Sequence, residues 1–203
     1  EILSLLESLD KHATYIRRQG GDFGDYVEKR GADGALPQHM VKIREGNEET
    51  VHYFLSNEEF EVFKLKHSDL LGDAEAREKS GRPYPDMVKY GEGIWHCLHP
   101  DFLADQLTLS LDRLGLATLD VCLLHNPEYF LSEAAHRQER DLPALRDAFY
   151  ARLQQAFAFC ESQVAAGRLQ YYGVSSNTVT SRADHPEATS LSRMLEAARM
   201  AAR

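Results

Sequence analysis

Long apolar runs are missing from this chain: no stretch approaches the roughly 20 residues that cross a bilayer. Cysteine is scarce. Cys97, Cys122 and Cys160 cannot all pair, and their spacing fits neither a disulfide framework nor a zinc site, so a reducing, cytoplasmic compartment is the expectation. A basic surplus is missing too. With 32 acidic against 23 basic residues the net charge is −9, which gives the chain no electrostatic reason to hold nucleic acid or an anionic membrane. No Gly-x-Gly-x-x-Gly follows either of its two apolar strand candidates, which removes the fingerprint of an open dinucleotide-binding sheet. There is no internal repeat and no low-complexity segment.

What remains is an ordinary globular composition of 203 residues, 43% hydrophobic and 27% charged, enough to bury a substantial core. The chain opens at Glu1 within a helical pattern and closes on Met200-Ala201-Ala202-Arg203 within another. The expectation is a fragment of a longer protein, one that could have lost a targeting peptide.

Ile2, Leu5, Leu6 and Leu9 form an amphipathic stripe and predict a helix to about Arg18. Gly20-Gly21 ends it, and residues 19 to 50 read as a long polar loop. Val51 to Leu55 and Phe60 to Leu65 read as short strands. Asp69 to Ser80 reads as helix or loop, and Gly81-Arg82-Pro83-Tyr84-Pro85 as a connector. Pro100 and Asp101 suit a helix start, and Gly115 ends that helix. Leu119 to Leu124 is an apolar run that predicts a strand buried on both faces. Asp141 and Pro143 open a long helix that Gly167 closes. Leu169 to Val174 is a second buried strand, and His185 to Ala202 a last helix. Helix, strand, helix, strand, helix in alternation predicts parallel βαβ units.

In such folds chemistry sits where strands end. His125-Asn126 and Ser175-Ser176-Asn177 each follow an apolar strand directly and are polar where the chain leaves the core. A histidine can donate to a carbonyl oxygen or assist proton transfer, and Ser and Asn side chains can hold a carboxamide. The plainer reading is that His125 and Asn126 cap a strand end. His96, Cys97 and His99 suggest a metal, but Pro100 forces an extended segment and nothing completes the ligand set, so no metal site is assigned. Lys64 ends a short strand candidate. A lysine there can lose part of its proton affinity by desolvation, though a solvated surface lysine is the simpler reading and Lys66 is a rival.

Three stretches resemble the aldo/keto reductases. These are Ile94-Trp95-His96-Cys97-Leu98-His99-Pro100-Asp101-Phe102-Leu103, Ser110-Leu111-Asp112-Arg113-Leu114-Gly115, and Leu119-Asp120-Val121-Cys122-Leu123-Leu124-His125-Asn126-Pro127-Glu128. Gly167-Arg168-Leu169-Gln170-Tyr171-Tyr172-Gly173-Val174-Ser175 resembles the strand that follows. The resemblance implies an α/β fold of the (β/α)8 TIM-type barrel, partly represented, with a divergent region at 1–59 and the barrel portion at 60–203. It implies NADPH (or NADH) as hydride donor and reduction of an aldehyde or ketone to an alcohol. His125 is then the histidine that polarises the carbonyl and Lys64 the lysine of the tetrad. Ser175 contacts the nicotinamide carboxamide, with Ser176 where the family usually has asparagine and Asn177 one further on. The family's aspartate-threonine-alanine strand end and its tyrosine have no match: Tyr15, Tyr26 and Tyr53 lack the context. Little or no turnover by this chain is expected. The alternative is a catalytically silent relative that binds a nucleotide or serves as a regulatory subunit.

Overall fold

The computed structural model describes residues 37–45 and 48–203. The helix expected at 2–18, the loop expected over 19–36, and Tyr15 and Tyr26 lie outside them. The chain divides into two compact units, Glu1–Ala76 and Arg77–Arg203.

In the first unit, β1 (His39–Glu45) and β2 (Glu48–Phe54) pair antiparallel from His39↔Phe54 to Glu45↔Glu48. This corrects the loop expected to residue 50. The strand expected at Phe60–Leu65 is instead helix α1 (Asn57–Lys66). Its start is a capping arrangement: the Ser56 hydroxyl accepts from Glu59 N–H, and Glu59 Oε2 accepts from Leu55 N–H. Phe60 and Phe63 pack on Phe54, with centroids 5.4 and 4.8 Å away, and His39 stacks on Phe60. Two short helices follow, α2 (Ser68–Leu71) and α3 (Ala74–Lys79), the latter running into the second unit.

The second unit begins with a hairpin of β3 (Val88–Gly91) and β4 (Ile94–His96), turned at Gly93 with φ 68°, where a side chain would be strained. Helix α4 (Pro100–Leu114) starts on Pro100 and stops at Gly115, φ 66°, as its sequence predicts. Strand β5 (Leu119–His125) leads through α5 (Tyr129–His136) to the long α6 (Leu142–Ala165), whose Asp141 cap accepts from Ala144 N–H. Strand β6 (Leu169–Ser175) returns parallel to β5, and α7 (Leu191–Ala201) follows. Helix α7 starts six residues later than expected, behind a Ser190 cap, because Pro186 and the turn at residues 185–188 precede it.

The core is centred on α6. Phe149, Leu153 and Ala156 have no exposed surface, and Leu124, Leu131, Leu169 and Met194 close over them.

The barrel is overturned. Among the described residues there are three two-stranded sheets, two antiparallel and one parallel. A closed barrel needs each strand hydrogen-bonded on both sides. Here β5 and β6 pair only with each other, and the remaining strands form hairpins. The expectation that β5 is buried on both faces fails with it. Leu124 is buried, but Val121 and Leu123 are 55% and 54% exposed and Tyr171 of β6 is 68% exposed, because no layer of the described residues lies over that face.

Candidate functional site

The parallel register brings the two strand ends together. His125 pairs with Ser175, and Asn126 N–H extends the ladder one step by donating to the Ser175 carbonyl at 2.7 Å. The chain then turns sharply at Asn126, φ 49°, a left-handed conformation that asparagine tolerates better than most residues. This turn starts α5 and brings Asn126 and Glu128 to the end of β6 within one short segment.

Side chains bind that end into a chain of hydrogen bonds. Asn177 Nδ2 donates to Asn126 Oδ1 at 3.0 Å, and Asn126 Nδ2 donates to the Tyr129 hydroxyl at 3.2 Å. Glu128, 2% exposed, accepts the Asn177 backbone N–H on Oε1 at 2.7 Å, while its Oε2 has no partner among the described residues. Ser176 meets the hydroxyls of Thr178 and Thr189 at 3.5 and 3.4 Å. Tyr129 also stacks on Tyr90 at 4.5 Å, which fixes the β3–β4 hairpin against α5.

His96 comes from the end of β4. Its Nε2 lies 2.9 Å from the His125 carbonyl oxygen, which can only accept, so Nε2 carries the proton and Nδ1 keeps its lone pair. Burial pushes the His96 pKa below its ordinary value, against the raising effects of that hydrogen bond and of the Glu128 charge; the His125 charge adds to the lowering. The His125 ring is exposed and makes no hydrogen bond to another described side chain. Beside it, between the free edge of β5 and α4, opens a cavity of about 270 Å³.

Of the residues singled out from sequence, His125, Ser175, Ser176 and Asn177 lie at the adjoining ends of β5 and β6, His125 lining one cavity and Ser176 another. Lys64 belongs to the other unit. It sits in the last turn of α1 rather than at a strand end, ion-paired with Glu61 at 2.7 Å and lying over the Phe60 ring. The histidine and cysteine trio has separate duties: His96 on His125, Cys97 Sγ on the Pro85 carbonyl, and His99 as the α4 cap, its Nδ1 accepting from Asp101 N–H. Sequence reasoning did not pick out Tyr129 or Glu128. The readable signal was the Asn126-Pro127 turn, which returns the next two residues to the strand end.

A nicotinamide carboxamide needs one acceptor for its NH₂ and one donor for its oxygen. Asn177 Nδ2 is committed to Asn126. Asn177 Oδ1 and the Ser175 hydroxyl carry no hydrogen bond to the described residues and supply that pair of functions. The donor set fits the amide.

Comparison of the chain with protein-family models, curated proteins and solved structures finds no match to any of the three.

Proposed function

We propose that the crevice at the ends of β5 and β6 binds a small carbonyl compound beside a reduced nicotinamide and serves an NAD(P)H-dependent oxidoreductase that reduces an aldehyde or ketone to an alcohol. The observation that carries this reading is the His125↔Ser175 pairing, which sets these two residues opposite each other at the strand ends, their side chains without a hydrogen-bond partner among the described residues. The nucleotide, when bound, supplies hydride. Ser175 and Asn177 orient its carboxamide. His125 donates a hydrogen bond to the substrate oxygen and draws electron density from the carbonyl carbon. Tyr129 is the phenol at this crevice. Its oxygen accepts from Asn126, which leaves its own proton available to the product alkoxide.

A second reading, a nucleotide-binding module without turnover, draws support from the commitment of the Asn177 amide nitrogen and of the Ser176 hydroxyl to neighbouring side chains. The test is NADPH oxidation by the purified chain with a simple aldehyde. Slow, aldehyde-dependent oxidation that falls about 100-fold in His125→Ala is expected. Binding of NADPH without oxidation favours the second reading. Oxidation that ignores the aldehyde, or that His125→Ala leaves intact, removes the first.

A further inference from the structure

The cavity beside His125 has walls whose chemistry is specific. Between the β5 edge and α4 it is lined by Phe102, Leu103, Leu107, Cys122 and Phe159 among others, and among the described residues no Lys, Arg, Asp or Glu side chain contributes. Its titratable lining groups are His96, His125 and three thiols. Burial holds the Cys97 and Cys160 thiols protonated, at about 11 and about 12, so they act as apolar wall. Ser110 turns its hydroxyl back to the Gln106 carbonyl of its own helix.

Apart from Gln106 and Ser110 on α4, the polar lining groups lie towards the end where β4 and β5 finish. There the His125 ring has no described hydrogen-bond partner, and His96 offers Nδ1, its Nε2–H being held by the His125 carbonyl. Water in the apolar part finds few partners, and an apolar cavity of about 150 Å³ is already enough to hold a benzene ring. The roughly 270 Å³ here takes a ring or short branched chain with room for a substituent.

We propose that this cavity binds the body of a neutral, apolar molecule that carries one carbonyl or hydroxyl oxygen, a carbonyl accepting from His125 and a hydroxyl also able to donate to His96 Nδ1. An anion finds no cation in the lining, and a sugar finds too few polar groups for its hydroxyls. The choice of a carbonyl or its alcohol as the oxygen function rests on the proposed reduction; the apolar body and the neutrality rest on the cavity alone.

Trp95, the chain's single tryptophan, lines the cavity and reports on occupancy without turnover. The experiment titrates the purified chain with benzyl alcohol and follows Trp95 emission, with benzoate as the charged counterpart of the same ring. A saturable change with benzyl alcohol and none with benzoate at equal concentration is expected. Leu103→Phe, which narrows the cavity, is expected to weaken the response, with circular dichroism verifying its fold. His125→Ala alters an exposed side chain and is expected to weaken benzyl alcohol about fivefold, the equivalent of one hydrogen bond, while leaving the response to toluene unchanged. No saturable response, or an equal response to benzoate, overturns the assignment. Benzyl alcohol binding without aldehyde reduction keeps the cavity assignment and removes the redox reading. Aldehyde reduction without a Trp95 response does the reverse.

Discussion

Asn177 Nδ2 donates to Asn126 Oδ1 at 3.0 Å, so the loop leaving β6 is tied by a side-chain amide to the loop leaving β5. Asn126 is both a hydrogen-bond bridge and a left-handed backbone residue, φ 49°. Two substitutions separate these roles. Asn126→Gly keeps the turn and loses the bridge. Asn126→Ala loses the bridge and adds the left-handed penalty, about 1–2 kcal/mol. Urea unfolding is expected to place Ala below Gly by roughly that amount. Equal stability would mean that the turn relaxes when the side chain is removed.

The thiols should be slow. Cys97, Cys122 and Cys160 are free, and burial is the main cause raising each pKa: Cys97 to about 11, Cys160 to about 12, and Cys122 also upward. A thiol reagent near neutral pH is expected to titrate the native chain much more slowly than free cysteine. In denaturant all three should react at once. A fast native phase would show that one thiolate is exposed and activated.

Acid should weaken the fold through His96. Its folded pKa lies below the ordinary 6.5, chiefly through burial. The unfolded chain therefore binds the proton first as pH falls. The stability linked to this group is fully present above the unfolded value and is lost as pH drops from there towards the folded pKa. The unfolding midpoint is expected to fall as the pH drops below the ordinary histidine value of 6.5. His96→Gln, which keeps a donor for the His125 carbonyl, should show a shallower fall. An identical slope in both would assign the acid sensitivity elsewhere.

Leu153 sits fully buried at the middle of α6, in contact with the cluster that seats β5 and β6. Leu153→Ala is expected to cost about 2–5 kcal/mol by removing apolar burial and leaving a cavity. On the outer sheet face the outcome reverses. Val121 is more than half exposed, and Val121→Thr should change stability by less than about 0.5 kcal/mol. A large loss there would mean that something covers that face in solution.

The sequence by itself determined the elements whose ends carry their own chemistry. Pro100 and Gly115 bound α4, Asp141 and Gly167 bound the long α6, and the apolar runs at 119–124 and 169–174 became parallel strands. It also placed His125 and Ser175 at the right ends of those strands, because strand length and the next turn residue are local properties. Where local signals competed, pattern misled. Phe60 to Leu65 alternates enough to suggest a strand, yet the Ser56–Glu59 cap, three residues apart, starts a helix there. Helix–strand alternation did not decide the architecture. Two parallel strands satisfy the crossover rule equally in an open pair and in a closed barrel, and closure depends on which strands find an edge partner. Tertiary structure alone decided that, among the described residues, β5 and β6 pair only with each other and leave one apolar face open, and that Asn126 and Glu128 converge on Asn177. Those contacts join residues about fifty positions apart, and no local signal specifies them.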